Sequence, residues 1–99
     1  MSVDALVRVV TFTPRPGQED ALLQLLEGEV IETNRRFGAR SVWSLLGEPD
    51  MAIVSVWARA EDLEAMRADE EYQSLLGRIR DLSEDLRDQR FRLVAGSPA

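Results

Sequence analysis

The chain has 99 residues, of which 44% are apolar and 30% charged, a composition typical of one globular domain. Its formal net charge of −6 argues against nucleic acid or an anionic membrane as a partner. The sequence contains neither cysteine nor histidine, which excludes thiolate metal sites, thiol nucleophiles and the usual general base.

Hydropathy gives no sign of a membrane segment or of a leader sequence. No apolar run reaches the ~18 residues that a membrane-spanning helix needs, and the first ten residues carry no basic flank before their apolar part. We therefore expect a single domain over residues 3–95, a flexible tail over residues 96–99, no membrane partner and a cytoplasmic location.

Alternation of side chains predicts two strands that are apolar on both faces, over residues 3–13 and 50–60. Two apolar faces indicate burial on both sides, so these strands are expected in the middle of a sheet. Prolines at positions 14 and 16 end the first of them. Two further strands, with weaker alternation, are predicted over residues 39–47 and 89–95.

Helical periodicity predicts two helical regions. The first covers residues 18–36 as one continuous helix and stops at Gly38. The second starts near residue 60 and breaks before a new N-cap at Asp69. From there an apolar stripe with three- and four-residue steps continues from Tyr72 to Leu86.

The resulting order, β-α-β-β-α-β, predicts a ferredoxin-like α+β fold with a four-stranded antiparallel sheet and two helices on one face. The helix-free face would then expose an apolar surface in the upper range of what monomers tolerate. We therefore predict a symmetric homodimer, the commonest closed assembly. A monomer that tolerates the exposed face and a heteromer are the alternatives.

Three stretches, PRPGQEDALLQLL, GARSVWSLLGEPDMAIVSVWARAEDLEAM and EEYQSLL, resemble the antibiotic-biosynthesis-monooxygenase type of dimeric α+β barrel. The markers are Pro16 and Gly17 before the first helix, Gly38 before the second strand, Trp57 at the end of the third strand, and Tyr72. The resemblance implies two protomers packed sheet to sheet, with a ligand pocket between helices and sheet in each. The family includes cofactor-independent oxygenases of aromatic polyketide-like substrates, haem-degrading enzymes and many proteins without an assigned role.

The haem-degrading members of that family use an asparagine on the first strand and a tryptophan and a histidine on the second helix. The corresponding positions here are Val10, Met66 and Leu76, none of which can ligate iron. The histidine that often follows the family tryptophan by nine residues is also replaced, by Met66. The resemblance therefore argues against haem degradation, and we expect neither a cofactor nor a metal.

Arg8 and Tyr72 are the candidate catalytic residues. A guanidinium buried on a central strand needs a partner, which is either an acidic side chain or a substrate oxyanion. Tyr72 either donates its hydroxyl to a substrate oxygen or only packs its ring. Trp57 and Trp43 are candidate walls for a flat aromatic ligand, with core packing as the alternative for Trp57 and rim or dimer packing for Trp43. The predicted substrate pocket comprises Arg8, Val10, Phe12, Trp43, Trp57, Met66, Tyr72 and Leu76.

Other polar residues give weaker signals. Asn34 is a possible polar group of the pocket, with a solvent-facing position near a helix end as the favoured alternative. The acidic clusters at residues 69–71 and 81–88 are interleaved or flanked by arginines, which is typical of a solvated, salt-bridged face and not of a metal site.

Two functions fit these observations. The first is a cofactor-independent monooxygenase of an aromatic or polycyclic phenol, and the second is a non-catalytic ligand-binding or structural homodimer. An open pocket in which Arg8 and Tyr72 converge would favour chemistry. A salt-bridged Arg8 beside an apolar or filled cavity would favour binding or a structural role.

Overall fold

The computed structural model describes residues 5–97. Its elements are β1 (Leu6–Pro14), α1 (Glu19–Glu27), α2 (Glu29–Arg36), β2 (Ser41–Leu46), β3 (Met51–Trp57), α3 (Ala60–Ala68), α4 (Glu70–Leu82) and β4 (Ser83–Arg92). The four strands form one antiparallel sheet in the order β2-β3-β1-β4. This confirms the ferredoxin-like α+β fold, with the two strands that are apolar on both faces in the middle. Residues 3 and 4 of the predicted first strand lie outside the described residues.

The predicted continuous helix over residues 18–36 is wrong, because the chain breaks at Gly28 into α1 and α2. Gly28 has φ −111° and ψ −92°, outside the helical range. The apolar stripe runs through the break without a change of phase, so periodicity alone did not reveal it. The carbonyls at the end of α1 lose their helical partners there, and Ser44 Oγ on β2 donates to the Leu26 carbonyl at 2.7 Å.

Replacing Ser44 by alanine is expected to lower the free energy of unfolding by about 1 kcal/mol, the usual contribution of one hydrogen bond to a backbone carbonyl. Urea denaturation measures the change. Ser41→Ala is the matched control, since Ser41 lies on the same strand but on its other face. Equal losses in the two variants would show that the Ser44 hydrogen bond adds nothing.

The predicted break in the second helical region is confirmed. The Asp69 carboxylate accepts a hydrogen bond from the Tyr72 backbone N–H at 3.1 Å, which caps α4 as the sequence indicated. This cap fixes where α4 begins, and so fixes which of its side chains face the sheet.

The predicted boundary between the last helix and the last strand is wrong. The helix ends at Leu82, not near Leu86, and β4 covers Ser83–Arg92 instead of residues 89–95. Ser83 already has extended backbone, and its Oγ donates to the Ile79 carbonyl at 2.6 Å. Leu82 and Leu86 are four residues apart, as on one helix face, and both pack against the core, although Leu86 does so from the strand.

The core between the helices and the sheet has two parts. The first core cluster consists of Val10, Phe12, Leu22, Leu26, Val30, Met51, Ile53, Leu75 and Ile79. The second core cluster consists of Trp57, Leu63, Met66 and Tyr72. The first is built by β1, β3, α1, α2 and α4, and the second by β3, α3 and the first turn of α4.

The opposite face of the sheet has no helix on it in the described chain. Valines of the two central strands form its middle, where Val7 pairs with Val56 and Val9 with Val54. We call this surface the bare face; it comprises Val7, Val9, Thr11, Ser41, Trp43, Leu45, Ala52, Val54, Val56, Arg87, Gln89 and Phe91. Trp43, Leu45 and Phe91 at its edges are about half exposed, at 48–51%. Within residues 5–97, no helix is long and apolar enough to cross a membrane.

Candidate functional site

Three buried polar side chains interrupt the core at one level. Arg8 on β1, Asn34 on α2 and Ser55 on β3 are exposed by only 3%, 4% and 2%. On each element they separate residues packed in the first core cluster from residues packed in the second. Arg8 and Ser55 are directly opposite in the β1–β3 ladder, so their side chains lie together on the helix-covered face. We call these three residues the polar belt.

The polar belt lines a small cavity between the sheet, α2 and α4. The other lining residues are Val10, Val30, Ile53, Tyr72, Leu75, Leu76 and Ile79. Its volume is about 20 Å³, and a site for one water molecule needs only about 10–15 Å³ measured in this way. In this state the cavity therefore accommodates one oxygen atom of a ligand, and an aromatic ring requires its walls to move.

Arg8 forms a bidentate ion pair with Asp88 on the edge strand β4. Nε of Arg8 lies 3.0 Å from Oδ1 of Asp88, and Nη2 lies 2.7 Å from Oδ2. The Arg8 side chain is 4% exposed and that of Asp88 is 29% exposed, so the pair reaches from the cavity to the protein surface. Paired donors of this kind fix the plane of the guanidinium as well as its position.

The electrostatics of the pair keep both groups charged. Burial opposes the charge of Arg8, but the hydrogen bond to Asp88 and the neighbouring Tyr72 outweigh it, so the pKa of Arg8 is raised. Burial also opposes the charge of Asp88, but Arg8, with smaller contributions from Arg67 and Arg90, lowers the pKa of Asp88. A buried cation is therefore a permanent feature of this cavity.

A second ion pair connects β4 to α3 beside the first. Nη2 of Arg90 lies 2.6 Å from a carboxylate oxygen of Glu64, and Glu64 also lies 3.7 Å from Arg67. Together with Arg8 and Asp88 these residues form a chain of alternating charges along the edge of the helical layer. Arg67 and Arg90 act on Asp88 through their charge, whereas the hydrogen bonds that hold its carboxylate come from Arg8.

Tyr72 separates the cavity from a wider groove. Cζ of Arg8 lies 5.5 Å from the centre of the Tyr72 ring, within the range of a cation–π contact. Tyr72 and Leu76 also border an outer groove of about 300 Å³, whose other lining residues are Arg67, Gln73, Gly77 and Arg80. These two side chains are therefore the wall that a ligand would displace to pass from the groove into the cavity.

Ser55 and Asn34, the other two members of the polar belt, are each held by a hydrogen bond. Nε1 of Trp57 donates to Ser55 Oγ at 2.9 Å, and Nδ2 of Asn34 donates to the Val30 carbonyl at 2.7 Å. Trp57 is fully buried in the second core cluster, so its indole fixes the serine hydroxyl from behind.

The predicted pocket residues fall into three groups. Arg8, Val10, Tyr72 and Leu76 line the cavity. Phe12, Trp57 and Met66 are buried in the two core clusters and do not reach it. Trp43 lies on the bare face, on the other side of the sheet, which corresponds to the dimer-packing alternative. A role in ligand binding or catalysis stays a prediction for all eight residues.

Sequence reasoning misplaced two residues of the site and missed a third. Asn34 is buried beside the cavity, so the solvent-facing position favoured for it is wrong. Asp88 was assigned to a solvated acidic face, whereas it is the partner of buried Arg8. Ser55 was not singled out at all. The available signal for Asn34 was its position four residues after Val30, on the apolar stripe of the helix. Within residues 5–97, no group of three or more acidic side chains is arranged to hold a metal ion.

Comparison with known proteins places this geometry in a structural context. No family model and no curated protein sequence matches the chain. Among solved structures, a mutant of SnoaB, a cofactor-independent oxygenase from Streptomyces nogalater, superposes with a TM-score of 0.81 at 16% identity, over 97% of this chain and 99% of that one. A putative antibiotic biosynthesis monooxygenase from Chloroflexus aurantiacus gives 0.74 at 20% identity, over 95% and 97% of the two chains.

Proteins of other description share the same architecture. Rv0793 from Mycobacterium tuberculosis superposes with a TM-score of 0.80 at 16% identity, over 95% of this chain and 99% of that one. At these identities the likeness concerns the fold and not the chemistry. The chain therefore has the fold of the antibiotic-biosynthesis-monooxygenase-like proteins, as its sequence motifs implied.

Proposed function

We propose that this protein is a cofactor-independent monooxygenase that acts on an aromatic or polycyclic phenol bound between the helices and the sheet. The observation that carries the proposal is the convergence of Arg8 and Tyr72 on a buried cavity whose other walls are largely apolar. A fixed positive charge in such surroundings favours ionisation of a neighbouring phenol. The fold shared with SnoaB is consistent with this reaction.

The reaction needs no group beyond the substrate and dioxygen. A phenol that carries an activated ring methylene loses its proton to solvent and supplies four electrons to O2. One oxygen atom becomes a ring carbonyl and the other leaves as water, so that R2CH2 + O2 gives R2CO + H2O. The protein's part is to bind, desolvate and orient the anion. Arg8 stabilises its negative charge, and the Tyr72 hydroxyl donates to its oxygen.

The cavity has to widen for such a substrate. Displacement of Tyr72 and Leu76 would join it to the outer groove, and the combined space of about 300 Å³ and more is of the size that small ligands occupy. Two ion pairs, Arg36 with Glu71 and Arg78 with Glu29, connect α2 to α4. Both are exposed and so contribute little to holding the helices together.

Tyr72→Phe is expected to lower kcat/KM about tenfold, since one hydrogen bond to the developing anion is lost. The double variant Arg8→Met, Asp88→Leu is expected to lower it further, and it removes the ion pair without leaving a lone buried charge. Oxygen uptake with a panel of polycyclic phenols, 1,8-dihydroxyanthrone among them, measures turnover, and one atom of ¹⁸O from ¹⁸O2 identifies the product. Glu71→Gln, at the exposed neighbour of Tyr72, is the control. Unchanged turnover of a confirmed substrate in both site variants would refute these roles.

A non-catalytic ligand-binding or structural homodimer is the second candidate. It is favoured by the bidentate pair with Asp88, which already satisfies much of Arg8, and by the small volume of the cavity. Mass spectrometry of a ligand that co-purifies with the protein, combined with no ¹⁸O incorporation by any phenol of the panel, would select this candidate.

We further propose that a second copy of the chain covers the bare face. The two central strands present valines there while their other faces fill the core, a pattern that solvent on one side does not explain. The limits of the domain at residues 3–95 and a cytoplasmic location are further proposals from the sequence.

A further inference from the structure

The side-chain oxygen of Asn34 is not enclosed by the protein, although the residue as a whole is buried. Its Nδ2 donates to the Val30 carbonyl, but within residues 5–97 no side-chain or backbone group donates to its Oδ1. The whole residue is 4% exposed. Every fully enclosed side-chain nitrogen and oxygen of the described residues has a hydrogen-bond partner, so an amide oxygen without one borders open space and is free to accept from a ligand.

The hydrogen bond to Val30 also determines where Oδ1 points. It fixes the amide plane with Nδ2 towards the backbone of α2, so that the oxygen lies on the other side. Asn34 lines the cavity, and it is packed closely in every other direction. Oδ1 therefore faces the cavity and acts there as an acceptor.

Two donors face the same space. Asp88 occupies Nε and one N–H of Nη2. The three remaining guanidinium N–H groups of Arg8 are shared between Tyr72, a second hydrogen-bond neighbour of Arg8, and the cavity. Ser55 Oγ accepts from Trp57, which leaves its own hydroxyl hydrogen to donate. Donors on Arg8 and Ser55 and an acceptor on Asn34 thus surround a volume that fits one oxygen atom.

We propose that the cavity binds a hydroxyl group of the ligand, and that Asn34 determines specificity for it. The hydroxyl oxygen accepts from Arg8 and Ser55, and its hydrogen is donated to Oδ1 of Asn34. A methyl ether lacks that hydrogen and adds a carbon atom for which the cavity has no room. When the hydroxyl ionises, Arg8 and Ser55 still donate to its oxygen and the hydrogen bond to Asn34 is lost, so Asn34 selects the neutral hydroxyl as it binds and Arg8 stabilises the anion. The inference rests on the proposed function in one respect only, that an aromatic ligand reaches the cavity from the outer groove.

The test compares 2-naphthol with 2-methoxynaphthalene by isothermal titration calorimetry. The unaltered protein is expected to bind 2-naphthol at least about tenfold more tightly, since the ether leaves a buried acceptor without a donor. Asn34→Leu is expected to reduce that preference to about twofold or less. Glu32→Gln, on the exposed side of α2, is the control and should keep the full preference.

Thermal unfolding of the same variants separates a ligand-binding role from a structural one. Leucine fills the cavity and replaces a buried amide by an apolar side chain, so Asn34→Leu is expected to have an equal or higher Tm than the unaltered protein. A lower Tm with an unchanged preference for naphthol would show that Asn34 serves only to hold a structural water, and would overturn the inference.

The two ligands can be compared on the unaltered protein alone, so the test does not depend on the variant folding. Equal affinity for both would overturn the hydroxyl site and leave the proposed oxygenase intact. Binding of neither would also overturn the hydroxyl site, while the oxygenase would be decided separately by oxygen uptake with the phenol panel.

Discussion

Asp88→Ala is expected to lower the free energy of unfolding by about 2–3 kcal/mol, because the Arg8 guanidinium then stays buried without its counter-ion. The Arg8 side chain is only 4% exposed and meets solvent only on the side of Asp88, which is 29% exposed. This loss of stability is below the usual range for breaking a buried ion pair, because the Asp88 side chain is partly solvated. Urea denaturation at neutral pH measures the change.

Two variants check the cause of this loss. The double variant Arg8→Met, Asp88→Leu is expected to regain most of the stability, since it replaces both charges by apolar groups of similar length. Glu84→Ala removes one partner of the exposed Arg15–Glu84 pair and is expected to change stability by less than about 0.5 kcal/mol. An Asp88→Ala loss no larger than that of Glu84→Ala would contradict the assignment of a buried pair.

The same pair predicts a pH dependence of stability. Arg8 holds the pKa of Asp88 below its ordinary value of 3.8, against the effect of burial. A carboxylate with a lowered pKa in the folded state stabilises the protein fully above its unfolded pKa, and this contribution is lost as the pH falls through the folded value. The difference in Tm between the unaltered protein and Asp88→Ala should therefore be constant from pH 7 to about 5 and shrink below about 4.

Val54→Asp is expected to convert a dimer into a monomer. Val54 lies in the middle of the bare face, where it pairs with Val9, and a carboxylate buried between two apolar sheets without a partner costs several kcal/mol. The affinity of the two copies should therefore fall more than about 100-fold. Light scattering after size exclusion should give about twice the chain mass of 11.2 kDa for the unaltered protein and 11.2 kDa for the variant.

Ser74→Asp is the matched control for this experiment, because it adds the same charge on the exposed side of α4, away from the sheet. It should remain dimeric. Circular dichroism should show that Val54→Asp is still folded, since the inward face of β3 is unchanged. A mass near 11.2 kDa for the unaltered protein at micromolar concentration would refute the dimer.

The sheet order was predictable because the same alternating apolar pattern occurs in two strands. The strands now defined as β1 and β3 alternate without a break and are apolar on both faces, which places them in the centre of any sheet they join. The edge strand β4 carries mostly charged residues on its exposed positions, so its first half resembled a charged helix end. Gly28 was missed for a related reason, since the apolar spacing of α1 continues into α2.

The site was less predictable because its parts are distant in sequence. Arg8 was singled out as a buried charge, but its partner is 80 residues away, and a carboxylate on a charged strand gives no local sign of that role. Asn34 and Ser55 are single polar residues in apolar patterns, each of which is ordinary alone. Only the packing of α2 over β3 brings the two side chains to the same cavity and makes them part of one site.

The division of the core into two clusters determines where the molecule can open locally. Tyr72 belongs to the smaller cluster, with α3, whereas the larger one holds α1, α2 and the later turns of α4 to the sheet. Disruption confined to the smaller cluster leaves most of the apolar burial in place, so a partial opening at that end is far cheaper than global unfolding. The passage from the outer groove to Arg8 therefore lies at the end of the molecule that the smaller cluster holds together.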